Sequence, residues 1–234
     1  MPQNNPKKSY FFTLFAIFCI VFSTFSKTLP LSEWYSSFDF GAFEKPEFDV
    51  FSRGIEGYYA LVNQEKLSEK GILTLIDFRK SSNEKRLWVL DLKNNRALYY
   101  SLVAHGRNTG ELFARSFSNK PNSNQSSLGF YATGKTYYGK HGLSLKLHGL
   151  EPGINDKAEQ RAIVMHGADY VSQEFVTRAG RLGRSFGCPA IPMSLRDKLI
   201  PQIASGTCLF IFYPDDQYLG NTQLVNRGRA RDPF

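Results

Sequence analysis

The sequence predicts a mainly β domain, of sandwich or barrel type, with a few short helices and an amphipathic helix on its N-terminal side. Short runs of β-branched and aromatic residues follow one another from residue 71 onward, separated by Gly, Asn and Pro turn signals. The 234 residues suffice for one ordinary domain with short extensions. Hydrophobic residues make up 42% and charged residues 21%, which excludes a disordered or fibrous chain.

The first 26 residues predict a signal peptide or membrane anchor. Lys7 and Lys8 precede an apolar stretch from Tyr10 to Phe25, the order of a positive region and a hydrophobic region in export signals. Cleavage is expected after Ser26. The stretch is short for a bilayer core of roughly 30 Å, and an uncleaved anchor is the alternative. Either way the body of the protein is expected in the periplasm or cell envelope, with membrane contact only through this segment if it is uncleaved.

The predicted elements follow in chain order. Residues 27–47 show no hydrophobic period and predict a linker. From Phe48 the spacing of apolar residues predicts the amphipathic helix. This helix is predicted to begin a domain that covers residues 48–214. Strands are predicted at 71–78, 87–92, 97–104, 129–132, 144–147, 161–166 and 207–213, with 87–92 and 97–104 joined as a hairpin.

Three further segments are predicted to be less regular. Residues 106–128 are rich in Ser, Asn and Gly and predict a long loop, which is usually functional or mobile. A helix at 195–204 contains Pro201 and should be short, kinking or stopping near that residue. Residues 215–234 predict a loosely held, polar and basic tail.

The formal net charge of +8 suits a polyanionic partner such as nucleic acid, an anionic membrane surface or an acidic cell-wall polymer. No dense Lys/Arg run is interleaved with aromatics, so nucleic acid is not expected. No set of His, Cys, Asp and Glu has zinc spacing, and neither a metal nor a cofactor is expected.

The segment GRSFGCPA, residues 183–190, is typical of a nucleophile on a sharp turn. Gly183 and Gly187 let the backbone turn and approach a ligand closely. The N–H groups of Gly187 and Cys188 would then point into a cleft, where they receive the oxyanion formed when the thiolate attacks a carbonyl. Losing one such donor typically costs about 3 kcal/mol.

A thiol with an ordinary pKa of about 8.5 needs a neighbour that takes its proton. His166 ends an apolar run and can face a cleft from the end of a strand. Arg184 would add positive charge and favour the thiolate. His105 also ends a strand and precedes the long loop, so it is the rival base or a cleft-lining residue.

The pair His166-Gly167, followed by Ser185-x-Gly187-Cys188, resembles the active-site signature of the YkuD-type L,D-transpeptidases. The sequence around these motifs resembles the subgroup of murein L,D-transpeptidase catalytic domain proteins. The segments that carry the resemblance are LWVLDL at 87–92, VAHGRNTG at 103–110, SSLGFYATG at 126–134, GLSLKLHGLEPGIND at 142–156, RAIVMHGADYVS at 161–172 and GRLGRSFGCPAIP at 180–192.

The resemblance implies a mostly β fold and cysteine acyl transfer on peptidoglycan stem peptides, as transpeptidation or, with water, L,D-carboxypeptidation. It implies Cys188 as nucleophile, His166 as base oriented by the carbonyl of Gly167, and Ser185 and Gly187 beside the nucleophile. Peptidoglycan stem peptides are the implied partners, and carbapenem-type compounds the implied inhibitors.

One position departs from the family. Better-known members carry a second histidine where this chain has Phe186, so no role of that imidazole is transferred. Phe186 and His105 are candidates for contacting substrate, and Arg161 and Arg184 for binding its carboxylates.

Several alternatives stay open. Cys188 and Cys208 could form a disulfide in an oxidising compartment. The chain could instead be a non-catalytic peptidoglycan-binding module, or a cysteine peptidase acting on another amide. His141 is interpreted as a loop residue and His148 as a surface residue. The acyl acceptor and the oligomeric state are not determined by the sequence.

Overall fold

The structure is a computed structural model that describes residues 30–225. Within this range the chain forms five helices and eight strands, and the strands make one sheet in the order β3-β2-β1-β8-β4-β5-β6-β7. The elements are α1 Leu31–Ser37, α2 Phe48–Asn63, β1 Ile72–Asp77, β2 Leu87–Asp91, β3 Arg96–Ser101, β4 Gly129–Gly139, β5 Gly142–Gly149, β6 Val164–Ala168, α3 Gln173–Ala179, β7 Ala190–Pro192, α4 Met193–Ile203, β8 Cys208–Phe212 and α5 Asp216–Asn221. The predicted mainly β class is confirmed.

Most neighbouring strands are antiparallel, but β1 pairs with β8 and β6 pairs with β7 in parallel. Parallel neighbours need a crossover, and the one between β6 and β7 contains α3. Helix α2 packs against β1 and β8, and α4 packs against β5, β6 and β7. The chemistry-bearing segments predicted from the sequence therefore lie at the β5-β6-β7 side of the sheet.

Helix α2 matches the amphipathic helix predicted at the N-terminal side. Val50, Phe51 and Ile55 are fully buried at the spacing of a helical stripe. The helix lies close to the sheet at Gly57, where a Cβ atom would lie only 2.0 Å from the ring of Phe130. A side chain at this position would therefore push the helix away from the sheet.

Several element boundaries differ from the prediction, such as β4, which extends to Gly139 rather than 132, and two of the differences have an identifiable cause. Strand β6 covers Val164–Ala168 rather than 161–166, because Ala162 has φ +54° and belongs to the preceding turn. Helix α4 ends at Ile203, beyond Pro201, so the helix continues past the proline. The fully buried side chains of Ile200 and Ile203 stabilise this last turn.

The predicted linker at 27–47 was wrong for its described part. Residues 31–37 form α1, and Phe38 and Phe40 are almost completely buried. The ring of Trp34 meets the ring of Phe51 edge-on, with centroids 6.0 Å apart. The aromatic residues that lacked a period in the sequence are therefore core residues packed against α2.

The predicted loosely held tail was also wrong up to residue 225. Helix α5 places Tyr218 in the core, and Tyr218 and Thr222 donate hydrogen bonds to the buried carboxylate of Glu151. The backbone N–H of Phe130 donates to the same carboxylate. Tertiary contacts thus hold residues 215–225 against the domain, although their polar composition had predicted a solvent-exposed tail.

The predicted export segment, residues 1–26, lies outside the described residues. Between residues 30 and 225, none of the helices combines the length and the apolar character needed to cross a membrane.

Candidate active site

The predicted base, His166, is fixed in one orientation on β6. Its Nδ1 lies 3.0 Å from the carbonyl oxygen of Gly167. Because a carbonyl only accepts, Nδ1 carries the proton and Nε2 is left as the basic atom. The side chain is 3% exposed, and burial lowers the pKa of His166 below its usual value. The imidazole is therefore neutral and available as a base at neutral pH.

The predicted nucleophile, Cys188, lies beside the start of the same strand. Its Sγ accepts a hydrogen bond from the N–H of Val164 at 3.5 Å and contacts the carbonyl oxygen of Ala162 at 3.8 Å. Burial raises the pKa of the thiol, whereas the Val164 N–H and the charges of Arg161 and Lys140 lower it. Burial is the largest of these effects, so the resting group is a thiol.

The sheet places the predicted nucleophile and the predicted base along the same strand, β6. The Sγ of Cys188 bonds to the backbone N–H of Val164, two residues before His166. In the parallel pair β6-β7, His166 lies opposite Ala190, which follows Cys188 by two residues. The thiol and the imidazole are thus separated by about two residues along the strand, roughly 7 Å of rise.

The nucleophile segment is held by Ser185. Its hydroxyl donates to the carbonyl oxygen of Cys188 at 2.6 Å and accepts from the N–H of Gly187 at 3.0 Å. This corrects the expectation that the Gly187 N–H is free for an oxyanion, because that donor is already used. The N–H of Cys188 bonds to no other residue in the described chain, lies beside its own sulfur and lowers the pKa of the thiol.

These features are accompanied by a sequence match over most of the chain. The L,D-transpeptidase catalytic domain family matches residues 43–212. The chain belongs to this family. The resemblance predicted from the His166 and Cys188 motifs is thereby confirmed at the level of the family.

Several solved structures, L,D-transpeptidases among them, are similar to this domain at low sequence identity. One from Mycobacterium smegmatis has 9% identity and a TM-score of 0.39, over 61% of this chain and 59% of that one. An LD transpeptidase in complex with imipenem has 11% identity and a TM-score of 0.37, over 61% and 59%. The helical cell shape determining protein Pgp2 from Campylobacter jejuni has 13% identity and a TM-score of 0.41, over 73% and 57%.

This chain therefore spans less than two thirds of the length of these three relatives. Among curated proteins, no sequence matches it.

The long loop of the L,D-transpeptidase domain, predicted at 106–128, is pinned to the nucleophile segment. The hydroxyl of Ser126 accepts from the N–H of Gly106 and donates to the carbonyl oxygen of Gly187. Arg161 uses four of its five N–H donors on the same loop, at Ser118, Ser123, Gln125 and Ser127. Arg161 was predicted to bind substrate carboxylates, but its guanidinium holds the loop and acts on the thiol through charge.

Arg184 is placed differently from the prediction. Arg184 donates to the carbonyl oxygens of Arg107 and Gly110 and pairs with Glu111 at 2.6 Å. Lys140 and Arg161, rather than Arg184, are the cations that lower the pKa of the thiol. The guanidinium of Arg184 thus orders a loop beside the site.

The rival base is a structural histidine. Nδ1 of His105 accepts from the guanidinium of Arg86 at 2.8 Å, and Nε2 donates to the carbonyl oxygen of Gly110 at 3.1 Å. The residue is 1% exposed, and burial, then the charge of Arg86, lowers its pKa to about 4. With both nitrogens bonded and no exposed surface, His105 neither accepts the thiol proton nor lines the cleft.

Phe186 projects beside the nucleophile. It is 63% exposed, and the guanidinium of Arg107 lies 4.9 Å above its ring. Tyr170 packs under Gly183, and burial, followed by the charge of Cys188, raises the pKa of this phenol to about 12. The Tyr170 phenol thus lies close enough to Cys188 for its pKa to depend on the charge of the thiol, and the sequence had pointed only to Phe186.

The structure also brings two residues to the site that the sequence left in a loop. Lys140 and His141 form the turn between β4 and β5, and the ring of His141 stacks on His166 with centroids 4.3 Å apart. A polar hairpin turn gives no signal for such a contact. Only the register of β5 against β6 reveals it.

The alternative disulfide is not formed. Cys188 and Cys208 are both free, and Cys208 is completely buried within β8. Between residues 30 and 225, no group of three or more His, Cys, Asp or Glu side chains is arranged to hold a metal ion.

Proposed function

We propose that the chain is an exported cysteine acyltransferase that acts on peptidoglycan stem peptides through a thioester on Cys188. The observation that carries the proposal is that the Cys188 thiol and the oriented, neutral imidazole of His166 both lie at strand β6. The domain in which they lie belongs to the L,D-transpeptidase family. The relative solved in complex with imipenem supports carbapenems as probes of the site.

In the proposed reaction the Cys188 side chain turns from the carbonyl of Ala162 towards His166, and the thiol proton passes to Nε2 directly or through one bridging water. The thiolate sulfur attacks the carbonyl carbon that precedes the terminal D-amino acid of the stem peptide. The resulting oxyanion accepts a hydrogen bond from the N–H of Cys188. Collapse breaks the C–N bond, the departing amine takes the proton from His166, and a thioester remains.

An acceptor then resolves the thioester. An amine from a neighbouring stem gives a new amide bond, which is L,D-transpeptidation, and water gives a shortened stem, which is L,D-carboxypeptidation. In both cases the acceptor proton passes to His166 and then to the departing Cys188 sulfur. The neutral state of His166 suits it to accept a proton in each half of the reaction.

Export is part of the proposal because peptidoglycan lies outside the cytoplasm. The charge of Lys7 and Lys8 and the apolar run that follows support it. Mass measurement of the protein recovered from the cell envelope tests this: a chain beginning at Lys27 indicates cleavage after Ser26, and an intact chain indicates an anchor. Recovery of the protein only in the cytoplasm would contradict export.

The central test is acylation of the purified protein by imipenem, followed by mass spectrometry and mapping of the adduct. The adduct is expected on Cys188 and should be lost in Cys188→Ala, because that substitution removes the thiol that lies along β6 from His166. Cys208→Ala is the matched control and should still be acylated, because Cys208 is completely buried. Acylation of Cys188→Ala at the rate of the unsubstituted protein would refute the nucleophile.

The reaction type is tested by muropeptide analysis of cells with the active protein and with Cys188→Ala. New 3→3 cross-links that depend on Cys188 are expected for transpeptidation, and shortened stems alone indicate hydrolysis. Salt-sensitive binding to sacculi that persists in Cys188→Ala, with no change in muropeptides, would instead support a binding module.

A further inference from the structure

The tip of the β4-β5 hairpin is held in a fixed position beside β6. Gly139 pairs with Gly142, so Lys140 and His141 form a two-residue turn with little freedom. Gly142 rests on α4, where a Cβ atom would lie 2.5 Å from the guanidinium of Arg196. The hairpin pairing on one side and α4 on the other therefore determine where His141 lies.

His141 covers the imidazole of His166. The two rings are nearly parallel, at 19°, with centroids 4.3 Å apart. His141 is exposed, whereas His166 is 3% exposed. One face of the His166 ring is thus shielded from water by a side chain that faces solvent.

We propose that His141 is a positioning residue for the base, holding the His166 imidazole in place and shielding it from water during acyl transfer. This inference rests on the proposed function, because it concerns the step in which His166 accepts the thiol proton. It adds a residue to the site that lies outside the His166-Gly167 and Ser185-x-Gly187-Cys188 motifs.

The charges around the base act in the same direction. Burial is the largest effect that lowers the pKa of His166, and the charges of His141 and Lys140 lower it further. The carbonyl of Gly167 opposes them. Removal of the His141 ring exposes His166 and also removes an imidazole whose charged form disfavours the charged form of His166, and both changes raise the pKa of His166.

The other elements packed around His166 add few charges. Ser144 on β5 and Ala190 on β7 lie directly opposite it and are neutral. On α4, Arg196 reaches the backbone at Gly167 but is paired with Asp197 at 2.9 Å. Among these neighbours, the hairpin tip therefore carries the unpaired cation and the stacking ring.

The first experiment combines two readouts on His141→Ala. We expect NMR titration of the imidazoles to show His166 titrating at higher pH than in the unsubstituted protein. The acid limb of the imipenem acylation profile should move in the same direction, with a loss of about tenfold at mildly acidic pH. His148→Ala is the matched control, because His148 also belongs to this hairpin but pairs with Glu159 at 3.2 Å, and it should change neither readout.

The second experiment separates the ring from the charge. His141→Phe keeps a stacking ring and should hold the acylation rate at its alkaline plateau within about twofold of the unsubstituted protein, whereas His141→Ala should lower that plateau about threefold or more. Lys140→Met removes only charge, so it should raise the pKa of both His166 and Cys188 and lower the plateau less than His141→Ala does.

Three results would overturn the positioning role: an unchanged titration of His166 in His141→Ala, a plateau as low in His141→Phe as in His141→Ala, or an equal plateau loss in Lys140→Met. The NMR titration needs no acylation. If imipenem failed to label Cys188, the proposed function would fail while the effect of His141 on His166 was still measured.

Discussion

At Gly187 the backbone passes through a gap that no side chain fits. The residue has φ +124°, and a Cβ atom there would lie 2.8 Å from the carbonyl oxygen of Gln125 and 3.0 Å from the side chain of Ile163. The same residue donates its N–H to Ser185 and accepts from Ser126 through its carbonyl. One glycine therefore joins the nucleophile segment, the long loop and the start of β6.

We expect Gly187→Ala to displace Cys188 and to lower the rate of imipenem acylation by at least about tenfold. It should also lower the free energy of unfolding by about 1–3 kcal/mol, through backbone strain and overlap with the Gln125 carbonyl. Acylation kinetics and urea unfolding measure the two effects.

Gly153→Ala is the matched control, because Gly153 also has a positive φ, +77°, but has no atom within 4 Å of the added Cβ. It should show a comparable backbone cost and unchanged acylation. Equal acylation of the two variants would indicate that the packing around Gly187 does not position the thiol.

The candidate pair Cys188 and His166 could be singled out from the sequence because both residue types are tied to local motifs. A cysteine after Gly187 and a histidine before Gly167 have chemical meaning wherever the fold places them. Arg161, Arg184 and His105 were misread because their partners come from the loop at 106–128 and, for His105, from Arg86. The hydrogen-bond partners of a long side chain are set by tertiary contacts, which local sequence does not encode.

Among the elements, the N-terminal segment differs most from its sequence-based interpretation. Rings from α1 and the residues after it surround Phe51 of α2, and the rings of Trp34, Tyr35, Phe38 and Phe40 each meet it edge-on. The segment has no period because its residues wrap around one side chain rather than forming one face of a helix or strand. It is part of the core of the domain.

Phe38→Ala is expected to lower the free energy of unfolding by about 3–5 kcal/mol, because Phe38 is 2% exposed and its removal leaves a cavity. The control is Phe48→Ala, a change of the same size at a residue that is 38% exposed. Urea denaturation should show a clearly smaller loss for the control. A negligible loss for Phe38→Ala would support the linker interpretation instead.

Element type was predictable where the hydrophobic pattern is long, and unpredictable where an element is short. Helix α2 has a clear amphipathic period, and the β2-β3 hairpin consists of two apolar runs joined by a turn signal. Strand β7 has three residues, and its existence depends on pairing with β6 rather than on its own composition. Helix α3 has seven residues in the crossover, with only Val176 buried, so it shows little of an apolar stripe.

At the scale of the whole molecule, buried histidines link stability to pH. The pKa of His105 is lowered by burial and then by Arg86 to about 4, whereas an unfolded histidine titrates near 6.5. Between these values the unfolded chain binds a proton that the folded chain does not. The folded state should therefore lose stability as the pH falls from about 6.5 to about 4, by roughly 3 kcal/mol from this residue.

His105→Gln removes this titration and should flatten the dependence of unfolding free energy on pH over that range. Urea unfolding at several pH values, for the variant and the unsubstituted protein, measures the difference in slope. His166 also has a lowered pKa and contributes with the same sign to both proteins, so only the difference reports on His105. Identical slopes would contradict a neutral, buried His105.

The parallel pairing of β6 and β7 has a consequence for how related chains are recognised. Main-chain hydrogen bonds between β6 and β7 set His166 opposite Ala190. The chain between these two strands, which includes α3, lies outside this pairing. This connecting segment can be longer or shorter without moving the imidazole relative to the sulfur, provided that the pairing of His166 with Ala190 is kept. The interval between histidine and cysteine along a chain is therefore a poor criterion for finding distant members of the family, and strand register is the better one.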